Sequence, residues 1–397
     1  MQAISDLPEL DFASPDYVAT PFEVLAGWSS QWKIARSVRG VELLDYDLCR
    51  TAIVDRNLGT GHPRLMQEIG LPESAALEFK RNAIGFHNRG ERRRNLRLPL
   101  NRIFAPQAIE KYRRGVREVV RRVVDALPKD APVDLIHGLC DPIPSMMYCH
   151  WVGAPYEAAG FVGKASHTVQ QVHTRNPAHT TAIVKSFDAL IAFVEERIEN
   201  RRKNLTDDLL SDLIRAEQAG ELSALDLRNW VIVLAAANTD NSSHSIGIAL
   251  IELAARPEVW VRLGQDPSAV KAAVNEVMRI HPRSISTSRE AMEDMEIEGV
   301  EIPKGTPVFA NFGASHWNGA YYPDPGTFDI DRKDQPPHLN FGGGVFSCIG
   351  RFFVTMEIEE TIAYLAEVHP DLRIDASAFS HSPMFTSVTQ LVAQLDG

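Results

Sequence analysis

Cysteine is scarce in this chain, which has four among 397 residues. These four residues, Cys49, Cys140, Cys149 and Cys348, show no paired spacing. A chain of this length can bury a large core without disulfides. Neither a Cys-x-x-Cys nor a His-Glu-x-x-His motif occurs, and the thirteen histidines are scattered. We therefore expect neither a disulfide framework nor a zinc site.

The sequence also lacks long apolar runs and an excess of basic residues. No uninterrupted apolar run reaches the length of a membrane span. Residues 1–22 are acidic and contain prolines, unlike a signal peptide. The formal net charge of −11 argues against nucleic acid as a partner, because phosphate binding needs a basic face. We expect a soluble, cytoplasmic protein that binds neither membranes nor nucleic acid.

No internal repeat or low-complexity linker divides the sequence, and 44% of its residues are hydrophobic. This favours a single domain over residues 1–397, with roughly the first 25 residues as a loose arm. Helical periodicity dominates the middle of the chain. Strand-like alternation occurs over residues 31–42 and 284–310.

The most informative stretch lies near the C-terminus, where Cys348 follows the three consecutive glycines 342–344. Glycines allow a backbone that side chains would forbid, and they let a large flat group approach the main chain. A helix is predicted from Arg351 to Val368, directly after the cysteine. The free N–H groups and the dipole at the start of a helix stabilise a thiolate, the form that binds metals. The alternative is an inert, buried cysteine in a glycine turn.

The spacing Phe341-Gly342-x-Gly344-x-x-x-Cys348-x-Gly350 resembles the haem-binding loop of the cytochromes P450. The resemblance implies that the thiolate of Cys348 is the axial ligand of the iron in haem b, iron protoporphyrin IX. It implies that Phe341, Gly342 and Gly350 border the cofactor. It also implies the cytochrome P450 fold, mainly α with a small β-rich region, in which a triangular-prism helical domain encloses the haem.

A second stretch predicts a long helix from Leu225 to Arg256, with apolar ends and a polar middle at residues 238–245. A helix through a protein core has no reason to become polar halfway unless it borders a cavity or a water chain. Residues 237–241 read Ala-Asn-Thr-Asp-Asn and resemble the I helix of the family, which normally reads Ala-Gly-x-Asp/Glu-Thr. The acid is present as Asp240, but asparagines replace the glycine and the threonine.

The resemblance implies that Ala237 borders the haem and that Asp240 feeds protons towards bound oxygen. Asn241 stands where the threonine of the family holds a water, and an amide cannot pass on a proton as a hydroxyl can. Our hypothesis is that Asn241 still orients a water, so that Asp240 and Asn241 are the catalytic residues. Asn238 would contact the substrate or narrow the pocket. The alternative is that both asparagines cap freed backbone groups.

A run of arginines precedes the Phe-Ala-Pro break at residues 104–106. Arg93 and Arg97 share one helix face and resemble the pair that holds a haem propionate in the family. Arg289 is implied as another propionate partner, and Phe346 stands where many relatives carry a histidine that bonds a propionate. One alternative is a solvated basic face. The other is a docking patch for an acidic redox partner, extended by Arg113, Arg114 and Arg117.

Two further sets of residues follow from the resemblance. Glu276 and Arg279 match the Glu-x-x-Arg pair of the family, and Arg332 matches its third member. These three would hold the fold rather than take part in catalysis. The residues predicted to contact substrate are Phe86, Leu234, Asn238, Ile285, Thr287 and Phe385.

The implied activity is the insertion of one oxygen atom of O2 into a C–H bond of a small hydrophobic substrate, as a hydroxylation or an O-dealkylation. No flavin or nucleotide motif is present, so electrons would come from a separate ferredoxin or flavodoxin with its NAD(P)H reductase. Because Asn241 lacks a hydroxyl, the alternative is peroxide use, oxidative coupling or rearrangement. A haem-thiolate sensor without turnover is a more remote alternative.

Overall fold

The computed structural model describes residues 2–60, 71–84, 90–128, 130–174 and 176–395. Its chain forms two compact units. The first unit comprises Met1–Gly61, Ile248–Cys348 and Arg373–Leu391. The second unit comprises His62–Gly247, Ile349–Leu372 and Val392–Gly397. Because each unit draws on distant parts of the sequence, neither corresponds to one continuous segment, and a single domain over residues 1–397 stays a prediction.

The strands, numbered in chain order, are β1 (Ile34–Ser37), β2 (Gly40–Leu43), β3 (Leu58–Gly59), β4 (Val133–Asp134), β5 (Ser286–Ala291), β6 (Met295–Ile297), β7 (Val300–Ile302), β8 (Pro307–Asn311), β9 (Arg373–His381) and β10 (Thr386–Gln394). In the first unit, a five-stranded sheet has the order β1-β2-β8-β5-β3. Strand β8 runs parallel to β2 and antiparallel to β5. In the second unit, the end of β10 pairs with β4 through Val392 and Ala393. The β-rich part predicted from residues 31–42 and 284–310 therefore lies in the first unit.

The β6–β7 hairpin has a connection of two residues, as does the β1–β2 hairpin. Ile297 pairs with Val300, so the turn consists of Glu298 and Gly299. Both residues have positive φ, at 50° and 79°. A two-residue turn of this kind matches the right-handed twist of the strands that it joins.

The helices of the first unit are Pro15–Ala19, Pro21–Gln31, Tyr46–Ala52, Pro257–Gln265, Val270–Ile280 and Phe312–His316. Proline at a first helical position costs nothing, because its fixed φ suits the helix and its missing N–H would have no partner there. Near the N-terminus, Leu10, Tyr17, Phe22 and Leu25 are buried in one hydrophobic cluster. These contacts do not favour a loose N-terminal arm, which stays a prediction. The prolines begin short helices, and those helices bury the apolar residues between them.

The helices of the second unit include Ala75–Asn82, Glu91–Ile103, Pro106–Ile109, Arg113–Val124, Pro142–Val152, Ala159–Gln170, Thr180–Lys203, Leu209–Gln218 and Arg351–Val368. The last of these, which we call the C-terminal helix, has the bounds that its sequence predicts. Its Phe353 is buried, with ring centroids of Trp151 at 4.6 Å and Tyr112 at 5.5 Å. Aromatic contacts at these distances stabilise beyond the burial of their area alone.

The longest described helix is Ala224–Ala254, which we call the central helix. Its residues up to Gly247 belong to the second unit and the rest to the first. The sequence predicts its end at Arg256, but the helix stops two residues earlier, because the residue before Pro257 disfavours helical backbone. None of the described helices combines the length and the apolarity that crossing a membrane requires.

Glu276, Arg279 and Arg332 form a buried ion-pair set that holds the loop before the glycine-rich stretch. Arg279 donates to both carboxylate oxygens of Glu276, at 2.8 and 2.7 Å, and the two side chains are 1% and 2% exposed. Arg332 approaches the same carboxylate at 3.4 Å. Arg279 and Arg332 both donate to the carbonyl oxygen of Thr327. The structure thus brings together the three residues that the sequence predicts as a structural set.

We predict that Glu276→Gln lowers the free energy of unfolding by about 3–5 kcal/mol, because it leaves a buried arginine charge without its counter-ion. Thermal unfolding of purified protein measures the effect as a lower midpoint. The control is Asp331→Asn, which breaks the Arg262–Asp331 pair, whose side chains are 44% and 65% exposed. The control should unfold at nearly the wild-type temperature. An unchanged midpoint for Glu276→Gln would contradict a structural role for the set.

Candidate functional site

Cys348 lies at the end of a glycine loop in the first unit. Gly342 and Gly344 have φ of 62° and 59°, a left-handed backbone that glycine adopts without steric cost. The N–H of Cys348 donates to the carbonyl oxygen of Phe341 at 2.7 Å, which closes the loop. A side chain on the middle glycine would meet a valine 2.8 Å away. The shape of the loop therefore depends on all three glycines.

The thiol of Cys348 differs from the other three thiols in its exposure. Cys49, Cys140 and Cys149 are buried, and burial raises the pKa of each of these thiols. Cys348 is exposed. Two residues later, a Cβ on Gly350 would meet nothing within 4 Å. An exposed thiol at this position is not the inert, buried cysteine of the alternative interpretation, and it suits metal ligation.

A buried arginine lies beside the loop in the same unit. Arg289, on β5, is 6% exposed and donates to Thr287 Oγ1 at 3.1 Å and to the carbonyl oxygen of Ser288 at 2.9 Å. Its guanidinium carbon lies 4.9 Å from the centre of the Phe346 ring. A Cβ on Gly342 would lie 4.0 Å from its terminal nitrogen. An accessible thiol, open glycines and a buried cation are what a thiolate-ligated haem with anionic propionates needs.

The predicted propionate pair lies on the helix Glu91–Ile103 of the second unit. Arg93 is 7% exposed and donates to the carbonyl oxygen of Ile84 at 2.8 Å. Arg97 is half-buried one turn later. Burying a guanidinium is costly unless a counter-charge or several hydrogen bonds compensate it. Arg93 therefore behaves unlike the solvated arginines of an ordinary basic face.

Most of the other arginines in this region pair with acids of the second unit. Arg92 pairs with Asp226, and Arg102 with Glu221 at 2.7 Å. Arg113 and Arg117 both bond Glu360 of the C-terminal helix. Arg114 pairs with Glu118, its neighbour one turn along the same helix. Because acids balance these charges, the predicted docking patch is less basic than the sequence indicates.

The polar residues in the middle of the central helix lie on two different faces of that helix. Successive residues are about 100° apart around a helix axis, so residues two apart point in nearly opposite directions. Asn238 and Ser242 are directed towards the C-terminal helix and Pro142–Val152. Asp240 and His244 are directed towards Ala159–Gln170. The polar residues therefore form two separate groups.

On the first side, Asn238 bonds protein groups through both ends of its amide. Its nitrogen donates to Glu357 Oε1 at 3.2 Å and to the carbonyl oxygen of Pro144 at 3.3 Å. Its oxygen accepts a hydrogen bond from Ser242 at 3.1 Å. These contacts do not favour substrate contact by Asn238, which stays a prediction. They show that the amide connects the central helix to two other helices of the second unit, Pro142–Val152 and the C-terminal helix.

Glu357 is the residue of this group that the sequence reasoning missed. It is fully buried, and burial raises the pKa of its carboxyl from 4.5 to about 7, although Ser242 and Asn238 oppose the shift. An acid between the apolar residues Met356 and Ile358 is the signal that could have found it. Strongly shifted pKa values of buried acids are typical of functional sites, though structural networks produce them too.

On the second side, Asp240 lies between two histidines. Its Oδ1 is 3.4 Å from His167 Nδ1 and 3.8 Å from His244 Nε2. Next to this group, Ser243 donates to Asp141 at 2.6 Å. No pattern around His167 marks it in the sequence, because its partner is more than seventy residues away. The acid predicted to supply protons thus has titratable neighbours within contact distance.

Asn241 donates its amide N–H to the carbonyl oxygen of Ala237 at 3.0 Å, one turn earlier in the central helix. Thr239 and Ser245 make the same kind of bond, to Ala235 at 3.0 Å and to Asn241 at 2.7 Å. The capping alternative therefore describes the amide nitrogen of Asn241. Ala237, predicted to border the haem, is exposed although its neighbours are wholly or partly buried.

The residues predicted to contact substrate lie in different environments. Ile285 is fully buried in the cluster of Phe22 and Leu25, which does not favour its contact with substrate, and that contact stays a prediction. It precedes β5 and packs into the core instead of continuing the alternation of that strand. The other predicted positions differ in burial: Leu234 is 7% exposed, Thr287 and Phe385 are half-buried, and Phe86 lies outside the described residues.

Comparison with known proteins gives consistent matches. The sequence model of the family described as Cytochrome P450 matches residues 167–365. Luteothin monooxygenase of Streptomyces thioluteus is 31% identical over 369 residues, which cover 91% of this chain and 89% of that protein. The 6-deoxyerythronolide B hydroxylase of Saccharopolyspora erythraea is 28% identical over 366 residues and covers 89% of both chains.

The solved structure of CalO2 shares the fold, with a TM-score of 0.88 over 98% of this chain and 99% of that one, at 21% identity. The predicted fold class, mainly α with a small β-rich region, is confirmed. An identity of 31% over 91% of this chain indicates that the two proteins share a common ancestor. This chain therefore belongs to the cytochromes P450, the family of haem-thiolate monooxygenases.

Proposed function

We propose that this chain binds haem b through the thiolate of Cys348 and inserts one oxygen atom of O2 into a C–H bond of a small hydrophobic substrate. The observation that carries the proposal is the exposed thiol of Cys348 in a glycine loop directly before a helix. Haem supplies the oxidising chemistry when it is bound. The names of the two relatives, a monooxygenase and a hydroxylase, support the same reaction class.

The arginines are proposed to hold the carboxylates of the haem. Arg289 and Arg93 are buried cations, and a guanidinium forms strong charge-assisted hydrogen bonds with carboxylates. Arg97, one turn from Arg93 on the same helix, is the third proposed partner. The Phe346 ring lies against the guanidinium of Arg289, so it would orient that group rather than bond a propionate itself.

Asp240 and Asn241 are the proposed catalytic residues of the central helix. The carboxylate of Asp240 would supply protons, and the amide oxygen of Asn241 would accept a hydrogen bond from a water. The amide nitrogen donates to the helix backbone, which fixes the orientation of that oxygen. Electrons would come from a separate ferredoxin or flavodoxin with its reductase, since the sequence contains no flavin or nucleotide motif.

A second candidate keeps the haem but changes the reaction to peroxide use, oxidative coupling or rearrangement. The bond from Asn241 to Ala237 favours it, because a side chain that caps the backbone has one fewer donor for a water. Turnover with hydrogen peroxide, but not with NADPH and redox proteins, would select this candidate. Oxygen-dependent product with NADPH would select the monooxygenase.

We predict that Cys348→Ala abolishes the long-wavelength absorption band of the ferrous protein with carbon monoxide, because that band would require the thiolate of Cys348 as a ligand of the haem iron. The absorption spectrum of the reduced protein under carbon monoxide measures it. The control is Cys149→Ala, which removes a buried thiol of the second unit and should leave the band in place. An unaltered spectrum for Cys348→Ala would remove the proposed haem ligand.

We predict that Asn241→Ala lowers the product formed per NADPH oxidised by about tenfold, because it deletes the amide that orients the water. Product, NADPH and hydrogen peroxide are measured together, with a compound that shifts the Soret band as substrate. The control is Ser245→Ala, which also deletes a side chain bonded to a carbonyl of the central helix. If both variants keep the wild-type ratio, Asn241 has no role in oxygen use.

A further inference from the structure

His167 brings a solvent-exposed imidazole to a nearly buried acid. It lies on the helix Ala159–Gln170 of the second unit, and its side chain is 68% exposed. The side chain of Asp240 is 11% exposed, with its Oδ1 at 3.4 Å from Nδ1 of His167. Most of the His167 side chain is therefore exposed to solvent, while its Nδ1 contacts Asp240, the proposed proton donor. Geometry of this kind connects solvent to a site that water reaches poorly.

We propose that His167 is a positioning residue that loads protons from solvent onto Asp240. The inference rests on the proposed function, in which Asp240 supplies protons for oxygen reduction. It adds the residue from which Asp240 takes each proton. His244 contacts the same oxygen at 3.8 Å and is 18% exposed, so it is less accessible to solvent than His167.

The chemistry needs a histidine at this position. Lysine and arginine stay protonated near neutral pH, so they can pair with a carboxylate but seldom give it a proton. An imidazolium can release a proton and regain one within the same pH range. In the proposed step, the Nδ1–H bond of the His167 imidazolium breaks and a bond from that proton to Asp240 Oδ1 forms. The neutral imidazole keeps its Nε2–H bond, and its bare Nδ1 regains a proton from bulk solvent when the exposed ring rotates away from Asp240. The net transfer is therefore one proton from solvent to Asp240.

The charges around His167 favour its protonated form. The hydrogen bond and the negative charge of Asp240 raise the pKa of His167, and Asp141 acts in the same direction. Among the described residues, His244 also faces Asp240, with its Nε2 at 3.8 Å from Oδ1. Because the pKa of the folded state is raised, the charged pair is complete below the ordinary histidine value of about 6.5. It is lost as pH rises through the raised value, and proton loading should decline with it.

The first test needs neither haem nor turnover. Histidine ring carbons are labelled, and the His167 signal, identified by its absence in His167→Gln, is titrated by NMR in the wild type and in Asp240→Asn. We expect the pKa of His167 to fall towards 6.5 in Asp240→Asn. His137, which is 78% exposed and bonds Asp134 at 2.7 Å, should titrate alike in both proteins. An unchanged pKa of His167 would overturn the proposal.

The second test uses the haem-loaded enzyme with O2, NADPH, a plant-type ferredoxin and its reductase. We expect His167→Gln to oxidise NADPH about tenfold more slowly than the wild type and to show a larger solvent deuterium isotope effect. His167→Arg keeps the ion pair but cannot deliver the proton, so it should be as slow and should lose the decline at high pH. The matched control is His137→Gln, which removes another exposed histidine beside an aspartate.

The outcomes separate the two proposals. If the wild type and His167→Gln oxidise NADPH with O2 at the same rate and with the same isotope effect, the role of His167 is overturned. The proposed monooxygenase function is unaffected by that result. A wild type without the long-wavelength carbon monoxide band and without oxygen-dependent NADPH oxidation removes the proposed function, and the role of His167 with it. A slow His167→Arg rules out a merely structural ion pair, because arginine would preserve that pair.

Discussion

A buried helix cannot carry polar side chains without partners for them, and this constraint governs the middle of the central helix. The structure satisfies it in three ways. Some side chains bond the carbonyl one turn earlier, as Thr239 and Asn241 do. Asn238 bonds Glu357 of the C-terminal helix. Asp240 meets a histidine of another helix. Polar residues that look like one block in the sequence thus join the central helix to several neighbours.

Parts of the site could be predicted because their causes are local. Three glycines before a cysteine allow a positive-φ loop without steric cost, and Gly342 and Gly344 adopt that backbone. The C-terminal helix has its predicted bounds because helical periodicity and the loop before it both mark its start. The contact between Glu276 and Arg279 follows from their spacing of three residues in a helix.

Other parts could not be predicted, because their causes lie far away in the sequence. His167 and Asp240 are on different helices, as are Asn238 and Glu357, and no spacing rule relates them. Ile285 has the apolar character of a pocket residue, but a helix near the N-terminus buries it. Acids of the second unit neutralise most of its predicted basic patch, as Glu360 does for Arg113 and Arg117, and the arginine run alone does not reveal them.

The central helix has titratable partners on two sides, Glu357 and His167, and each of them loses a proton as pH rises. The pKa of Glu357 is raised from 4.5 to about 7, so the folded protein binds more protons than the unfolded chain between those values. The stability contributed by this group therefore falls as pH rises through that range and is constant above it. His167 loses its positive charge as pH rises through its own raised pKa. A pH profile of this protein therefore contains a stability change from Glu357 as well as a proton supply from His167. Only the part that disappears in His167→Gln, at pH values where the fold is intact, belongs to proton supply.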